Sequence, residues 1–276
     1  APSEVRDLAL AHQTVLLGQH LGDRDIAAAP SRKEALKILA RKLQKTSNVA
    51  AIRLTTPRII LGDALTELAR LPPASYNALV TDPPYGIGIT QMSYQSTSEQ
   101  EYDDSPETWF RLVDDLVPEL ARVLTPSCAG FVFCDFSRFV HLADCFIDGG
   151  FEVYPRPLIW NRAPDGRLPT PEKWPRRCYE CILFFRRGDH KLREYRPDVI
   201  SLPADRDDAN YHGAKKPVAL YRDLLERIAG PGDRVLDPFA GSGPLLPAAL
   251  ALSLEPLLIE RDPAYFALIS RLREAP

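Results

Sequence analysis

Asp82-Pro83-Pro84-Tyr85-Gly86 follows the apolar run Tyr76-Asn77-Ala78-Leu79-Val80-Thr81 and is the stretch best equipped for chemistry. Two consecutive prolines fix their own φ and push Asp82 into extended backbone, so a strand must end there in a stiff corner. The corner gathers a carboxylate, two residues whose carbonyls accept while their nitrogens cannot donate, and an aromatic ring. That set suits gripping a planar amine.

A second constellation lies further along the chain. Arg234-Val235-Leu236 leads into Asp237-Pro238-Phe239-Ala240-Gly241-Ser242-Gly243, and Pro244 then suits the first position of a helix. A strand, a glycine-rich turn and a helix start let backbone approach a ligand closely. Pro256–Ile259 reads as the next strand and ends at Glu260, 23 residues past Asp237, where an acid is placed for a ribose diol. Leu246 occupies the position of the third glycine of a pyrophosphate fingerprint. The expected ligand is therefore of the adenosine type without a demanding phosphate. Gly62-Asp63-Ala64 stands at another strand end; Asp63 can cap the following helix or reach the same ligand.

These groups need a scaffold, and 276 residues with 45% hydrophobic content can bury a full core. From Arg58 onward short apolar strands alternate with helices, the pattern of a mostly parallel sheet covered on both faces. Strands are expected near Arg58–Leu61, Ala78–Thr81, Gly130–Cys134, Val153–Trp160, Cys178–Phe185, Arg234–Leu236 and Pro256–Ile259. Helices are expected near Ala64–Ala69, Pro106–Leu124, Phe139–Asp148, Pro217–Ile228, Leu245–Leu252 and Pro263–Arg273. Residues 1–56 read as a helical N-terminal extension to a catalytic domain at 57–276. Ile87–Ser105, 161–177 and 187–210 read as lids or recognition loops, because long loops in a compact domain usually carry function.

Charge narrows the partners. The formal net charge is −3, yet Arg156 to Arg196 holds 11 Lys and Arg against 5 Asp and Glu. Arg162, Arg167, Lys173, Arg176 and Arg177 near Trp174 combine phosphate-binding charge with an aromatic surface. A solvated charged loop is the alternative. No apolar run approaches the roughly 20 residues that cross a bilayer, which predicts no membrane role. Five cysteines, an odd number in apolar segments, predict a reducing, intracellular setting. Cys178 and Cys181 have metal-ligand spacing without a second pair, so no metal is expected.

Taken together, the residues resemble the amino-group DNA methyltransferases, over about residues 57–275. Asp82-Pro83-Pro84-Tyr85 is similar to the catalytic motif of that family, Asp237–Gly243 to its cofactor loop, and His212-Gly213-Ala214-Lys215-Lys216-Pro217 to the segment before that loop. The catalytic corner precedes the cofactor loop, as in the permuted β group. The resemblance implies a doubly wound, seven-stranded Rossmann-like α/β sheet, mostly parallel and circularly permuted, with one late antiparallel strand. It further implies S-adenosylmethionine as cofactor, held by Asp63, Ala64, Asp82, His212, Lys216, Pro217, the stretch Asp237, Pro238, Phe239, Ala240, Gly241, Ser242 and Gly243, then Glu260 and Arg261.

By the same resemblance Asp82, Pro83, Pro84 and Tyr85 are catalytic, and the substrate is adenine N6 of a base flipped out of DNA. Cytosine N4 stays open as acceptor, as does an inactive nucleic-acid-binding module that kept the fold. Bacterial, archaeal or phage origin, a cytoplasmic setting and a homodimer are what the family analogy adds. Two departures bear on the cofactor: Pro244 stands where the family often has Thr, and Gly213 where it often has Pro.

Overall fold

Alternation along the central strands sends neighbouring side chains into two separate cores. In the computed structural model, which describes residues 57–86, 105–162, 172–173, 175–203 and 216–274, Ala78 and Val80 face one core while Leu79 faces the other. Phe131 and Phe133 divide from Val132 and Cys134 in the same way. A strand that is apolar at every position must be covered on both sides, and these are. The expected extension at 1–56 lies outside the described residues, as do 87–104 of the first loop.

The elements follow one another as β1 (Arg58–Leu61), α1 (Ala64–Arg70), β2 (Tyr76–Thr81), α2 (Pro106–Val123), β3 (Leu124–Cys134), α3 (Phe139–Asp148), β4 (Glu152–Val153), β5 (Leu158–Asn161), β6 (Tyr179–Arg187), β7 (Val199–Ser201), α4 (Val218–Ile228), β8 (Arg234–Asp237), α5 (Leu245–Ala251), β9 (Glu255–Glu260) and α6 (Pro263–Glu274). The sheet order is β1-β9-β8-β2-β3-β6-β5-β7, with β4 also paired to β6. Helices α1, α2 and α3 supply one core, and α4, α5 and Ile269 of α6 the other. The β6 strand runs antiparallel to β3, β4 and β5, while the remaining pairs are parallel.

Local sequence explains the helix limits. Ser105 caps α2 by accepting a hydrogen bond from the Thr108 amide at 3.2 Å, and Pro106 opens the helix where its missing N–H costs nothing. Trp109, Val113, Leu116, Val117, Leu120 and Val123 then recur at helical spacing and are buried. Leu124, expected as the last helical residue, already belongs to β3.

Where seven strands are expected, the sheet has nine among the described residues. The stretch Val153–Trp160 is divided into β4 and β5, because Pro155 and Pro157 cannot donate to a ladder. Within 187–210, expected as loop, Val199–Ser201 pairs in parallel with β5. Three residues are too few for periodicity to reveal. The expected late antiparallel strand is β6, and β8 lies inside the parallel half between β9 and β2.

Phe131 has 1% of its surface exposed, between β3 and the core under α4. Phe131→Ala is expected to destabilise the fold by about 3–5 kcal/mol, read from the urea midpoint at unchanged slope.

Candidate active site

Parallel strands deliver their C-termini to a common rim, and ligands of doubly wound sheets bind there. Thr81-Asp82 ends β2, Asp237 ends β8, Glu260 ends β9 and Cys134 ends β3. The antiparallel β6 arrives at that rim by its start instead. Its register pairs Cys181 with Cys134 and Glu180 with Trp160, so Glu180 stands at the rim beside the end of β5 and Arg162.

Five polar side chains meet at the Asp82 corner. Lys216 Nζ lies 2.6 Å from Asp82 Oδ2 and 3.0 Å from Glu180 Oε2. The Tyr85 hydroxyl lies 2.8 Å from Asp82 Oδ1 and 3.0 Å from Glu180 Oε2; its single proton serves one carboxylate at a time. Arg162 closes the group, 3.0 Å from Glu180 Oε1, with its guanidinium over the Trp160 ring. Below the ammonium lie the Tyr85 and Phe133 rings, at 5.5 and 5.2 Å. Gly86 ends the corner with φ +63 and no room for a Cβ, which would meet Trp109 Cβ at 2.3 Å. Arg138, stacked over Trp109 and Phe110, donates to the Gly86 carbonyl at 2.8 Å and fixes it.

The two carboxyls titrate differently. Burial is the largest influence on Asp82 and, joined by repulsion from Glu180, holds it above the ordinary carboxylate value despite Lys216. Burial acts on Glu180 too, but Lys216 and Arg162 outweigh it and hold Glu180 below that value. Burial opposes the charge on Lys216, and both carboxylates more than compensate. A proton entering the group therefore goes to Asp82.

The glycine loop lies beside this corner. Thr81 Oγ1 donates to Asp237 Oδ1 at 2.7 Å, and the Phe239 amide donates to the same oxygen at 3.1 Å. Asp237 Oδ2 is buried without a hydrogen-bond partner, and burial pushes this carboxyl up to about 7. Glu260 accepts from the Gly241 amide through Oε2 and from the Asp262 amide through Oε1, each at 2.7 Å. Burial raises its carboxyl as well. Gly243, at φ +77, passes so close to Ile269 that a Cβ would lie 2.7 Å from Cγ1. Partnerless Asp237 Oδ2, the Glu260 carboxylate and the close-packed glycine backbone fit a ligand rich in hydroxyl or ammonium donors.

Several expected residues are placed differently. Asp63 accepts from the amide and hydroxyl of Thr66, both at 3.0 Å, and so caps α1. Ala64 is buried behind it, while Gly62 donates to the Glu260 carbonyl at 2.9 Å and ties this strand end to the loop. Lys216, expected at the cofactor, sits on the Asp82 and Glu180 carboxylates, and Pro217 caps α4 next to it. Arg162, expected on the basic surface, is buried on Glu180. Lys173 and Arg176 are exposed, as is Arg177, which pairs with Asp135 at 3.0 Å. Arg261 is exposed at the end of β9. His212, Arg167 and Trp174 lie outside the described residues.

Glu180 was missed because no motif contains it; its signal is a lone acid in an apolar strand whose neighbours are cysteine and tyrosine. Among the described residues, Asp114, His141 and Cys145 are near enough to share a metal ion, on α2 and α3 rather than at Cys178 and Cys181. A separate cleft lined by Asn77, His190, Arg193 and Arg234 opens at the opposite, N-terminal edge of the strands, away from the carboxylates.

A permuted doubly wound sheet that sets an Asp-Pro-Pro-Tyr corner beside a glycine-rich loop defines a Rossmann-like methyltransferase fold. The chain belongs to the DNA methylase family of N6 and N4 enzymes, whose profile matches residues 76–271. It is 26% identical over 219 residues to the DNA adenine methyltransferase YhdJ of Escherichia coli K12, covering 67% of this chain and 71% of that protein. Among solved structures, the M1.HpyAVI–SAM complex superposes with a TM-score of 0.60 at 21% identity, covering 79% of this chain and 99% of the other. The cytosine-N4-specific PvuII DNA methyltransferase gives 0.62 at 18% identity, covering 80% and 87%. These two establish the likeness of fold.

Because the Asp237 carboxyl is raised in the folded state, its contribution to stability is complete below its ordinary value of 3.8 and is lost as pH rises through about 7. In cofactor-free protein, Asp237→Asn should flatten the fall in stability between pH 4 and 7. Urea melts across that range, compared with the unsubstituted protein, would check it; parallel curves would contradict the assignment.

Proposed function

We propose that the chain transfers a methyl group from S-adenosylmethionine to an exocyclic amino group of a DNA base, with adenine N6 as the acceptor. The observation that carries this reading is the Thr81–Asp237 hydrogen bond, which joins the strand of the amine-gripping corner to the strand of the ligand loop. Two reactants held on adjacent strands of one rigid sheet meet the need for alignment. The cofactor class is supported by the fit of Asp237, Glu260 and the glycine turn to a donor-rich adenosine-type ligand, and by the M1.HpyAVI complex of the same fold.

Bound S-adenosylmethionine supplies a methyl group made electrophilic by its sulfonium. The chain's own residues supply alignment. Asp82 accepts one amino hydrogen and the Pro83 carbonyl accepts the other, which disfavours conjugation of the nitrogen lone pair with the ring and aims it outward. Tyr85 offers a stacking face, and a base reaches it only after leaving the duplex. Asp82 need not deprotonate a neutral amine. Its raised carboxyl suits it to take the proton once nitrogen is cationic. The exposed Lys173, Arg176 and Arg177, with Arg167 and Trp174, would hold the DNA backbone, contacts that position without reading sequence.

Adenine is favoured by Asp in the first place of the corner and by the likeness to YhdJ. Cytosine N4 is the second reading, favoured by the fold shared with the PvuII enzyme, since both amino groups demand the same chemistry. Expression in a methylation-deficient host, followed by single-nucleotide mapping of modified bases, should reveal N6-methyladenine in one sequence context. N4-methylcytosine would transfer the reading to cytosine, and an unmodified genome would remove it. Asp82→Ala should abolish methylation while S-adenosylmethionine still binds by calorimetry; undiminished turnover would overturn the role of the corner.

A further inference from the structure

Without Glu180, two opposite charges would satisfy one another at the corner. Lys216 is 5% exposed, and an ammonium 2.6 Å from a carboxylate in such surroundings makes a short, strong, charge-assisted bond. Asp82 in that state is largely neutralised and a poor acceptor for another N–H. Pulling the pair apart to admit a substrate would separate two buried opposite charges, which is strongly unfavourable.

Glu180 removes that difficulty. Its Oε2 lies 3.0 Å from Lys216 Nζ and 3.0 Å from the Tyr85 hydroxyl, so both partners of Asp82 already touch a second carboxylate. Its Oε1 is held by Arg162, which is itself fixed by Trp160 and by the pairing of β5 with β6. Asp82 and Glu180 thus face Lys216 and Arg162, and the buried charges cancel two against two. Lys216 can lean from Asp82 onto Glu180 and keep a carboxylate partner, while Asp82 takes the amino hydrogen of the substrate in exchange.

We propose that Glu180 is a positioning residue for amino-group methyl transfer: it offers Lys216 and Tyr85 a second carboxylate, so that Asp82 is free to accept a hydrogen from the substrate's amino group. The proposal deepens the function read from this site and rests on it. An incoming N–H takes the place of Lys216 at Asp82, and Lys216 with Tyr85 settles on Glu180. Asp82 receives the amine proton after nitrogen has bonded to carbon and the electron pair of the broken carbon–sulfur bond has stayed with sulfur. Charge balances throughout, because one proton moves from the cationic nitrogen to one carboxylate.

The groups facing Asp82 come from every side: Tyr85 on its own corner, Glu180 on β6 with Arg162 behind it, Lys216 before α4, Tyr221 on α4, Cys134 on β3 and Asp237 on β8. Of these, Glu180 is the acid in direct contact with both hydrogen-bonding partners of Asp82. Removing its charge leaves Asp82 as the charged one of the two acids that touch Lys216.

Two variants and two measurements test this. In Glu180→Gln, single-turnover methyl transfer should fall about 10- to 100-fold, the scale set by misplacement of a reacting group. The acid limb of its pH–rate profile should move to lower pH, because Asp82 loses a repelling carboxylate, while KM for DNA and cofactor stays within about twofold of the starting value. Glu180→Gln/Lys216→Met removes both charges, and Met is an unbranched side chain suited to the neighbouring Tyr85 and Phe133 rings. It should recover at least about tenfold of the lost rate by releasing Asp82. Carbon-13 NMR of the Asp82 carboxyl in cofactor-free protein should show a lower titration midpoint in Glu180→Gln. Wild-type rate and pH profile in Glu180→Gln, or a double variant no faster than the single one, would overturn the proposal. So would a loss of thermal stability with neither the pH profile nor the NMR midpoint moved. The NMR midpoint needs no turnover, so a starting protein that methylates no DNA would sink the function while the Asp82–Glu180 coupling was still being judged.

Discussion

The parallel pairing of β2 with β8 is the contact on which the rest of the site depends. Asp82 and Asp237 are far apart in sequence, and backbone hydrogen bonds bring their strands side by side at Ala78 and Val235 and at Leu79 and Leu236. Thr81 then bonds Asp237 at the end of the ladder. Parallel order matters because it gives both strands the same exit. The two corners open on one rim, and the helices on either face bury the strands that lead to it. A pairing slip of one residue would exchange the faces of Leu79 and Val80 and turn each corner away from the other.

The corner itself is an exercise in keeping charge inside a protein. A lone buried carboxylate would take up a proton or draw in water, and a lone buried pair would lock. Two carboxylates and two cations, with a phenol between them, satisfy one another while leaving Asp82 the more basic acid. The antiparallel course of β6 makes this arrangement available. Only the start of an antiparallel strand reaches a rim built from the ends of parallel ones, and Glu180 occupies that start.

The cofactor-facing side follows a different rule. There the acids serve backbone: Glu260 receives two amides and so shapes the turn it borders, and the Gly62 amide ties β1 to the end of β9. Asp237 keeps one oxygen for Thr81 and Phe239 and leaves the other without a partner. An acid buried with an orphaned oxygen is costly in isolation, and such costs cluster where a ligand completes the site.

Much of this was legible in the chain. The alternating strands and helices, the proline-stiffened corner, the glycine turn and Glu260 at the next strand end are local features, because propensity, proline geometry and spacing act over a few residues. They determined the α/β class, the Asp82–Tyr85 corner and the glycine loop beside it. Asp63 was legible only as a choice, and its hydrogen bonds with Thr66 show the capping role. Tertiary structure decided the rest: that Val199–Ser201 joins the sheet beside β5, that Lys216 sits on Asp82, and that Arg162 turns inward to Glu180. Those outcomes depend on which strand runs antiparallel and which residues it carries to the rim. Contacts across 134 positions, such as Lys216 with Asp82, leave no local pattern because only the packing of α4 against the sheet brings their charges together.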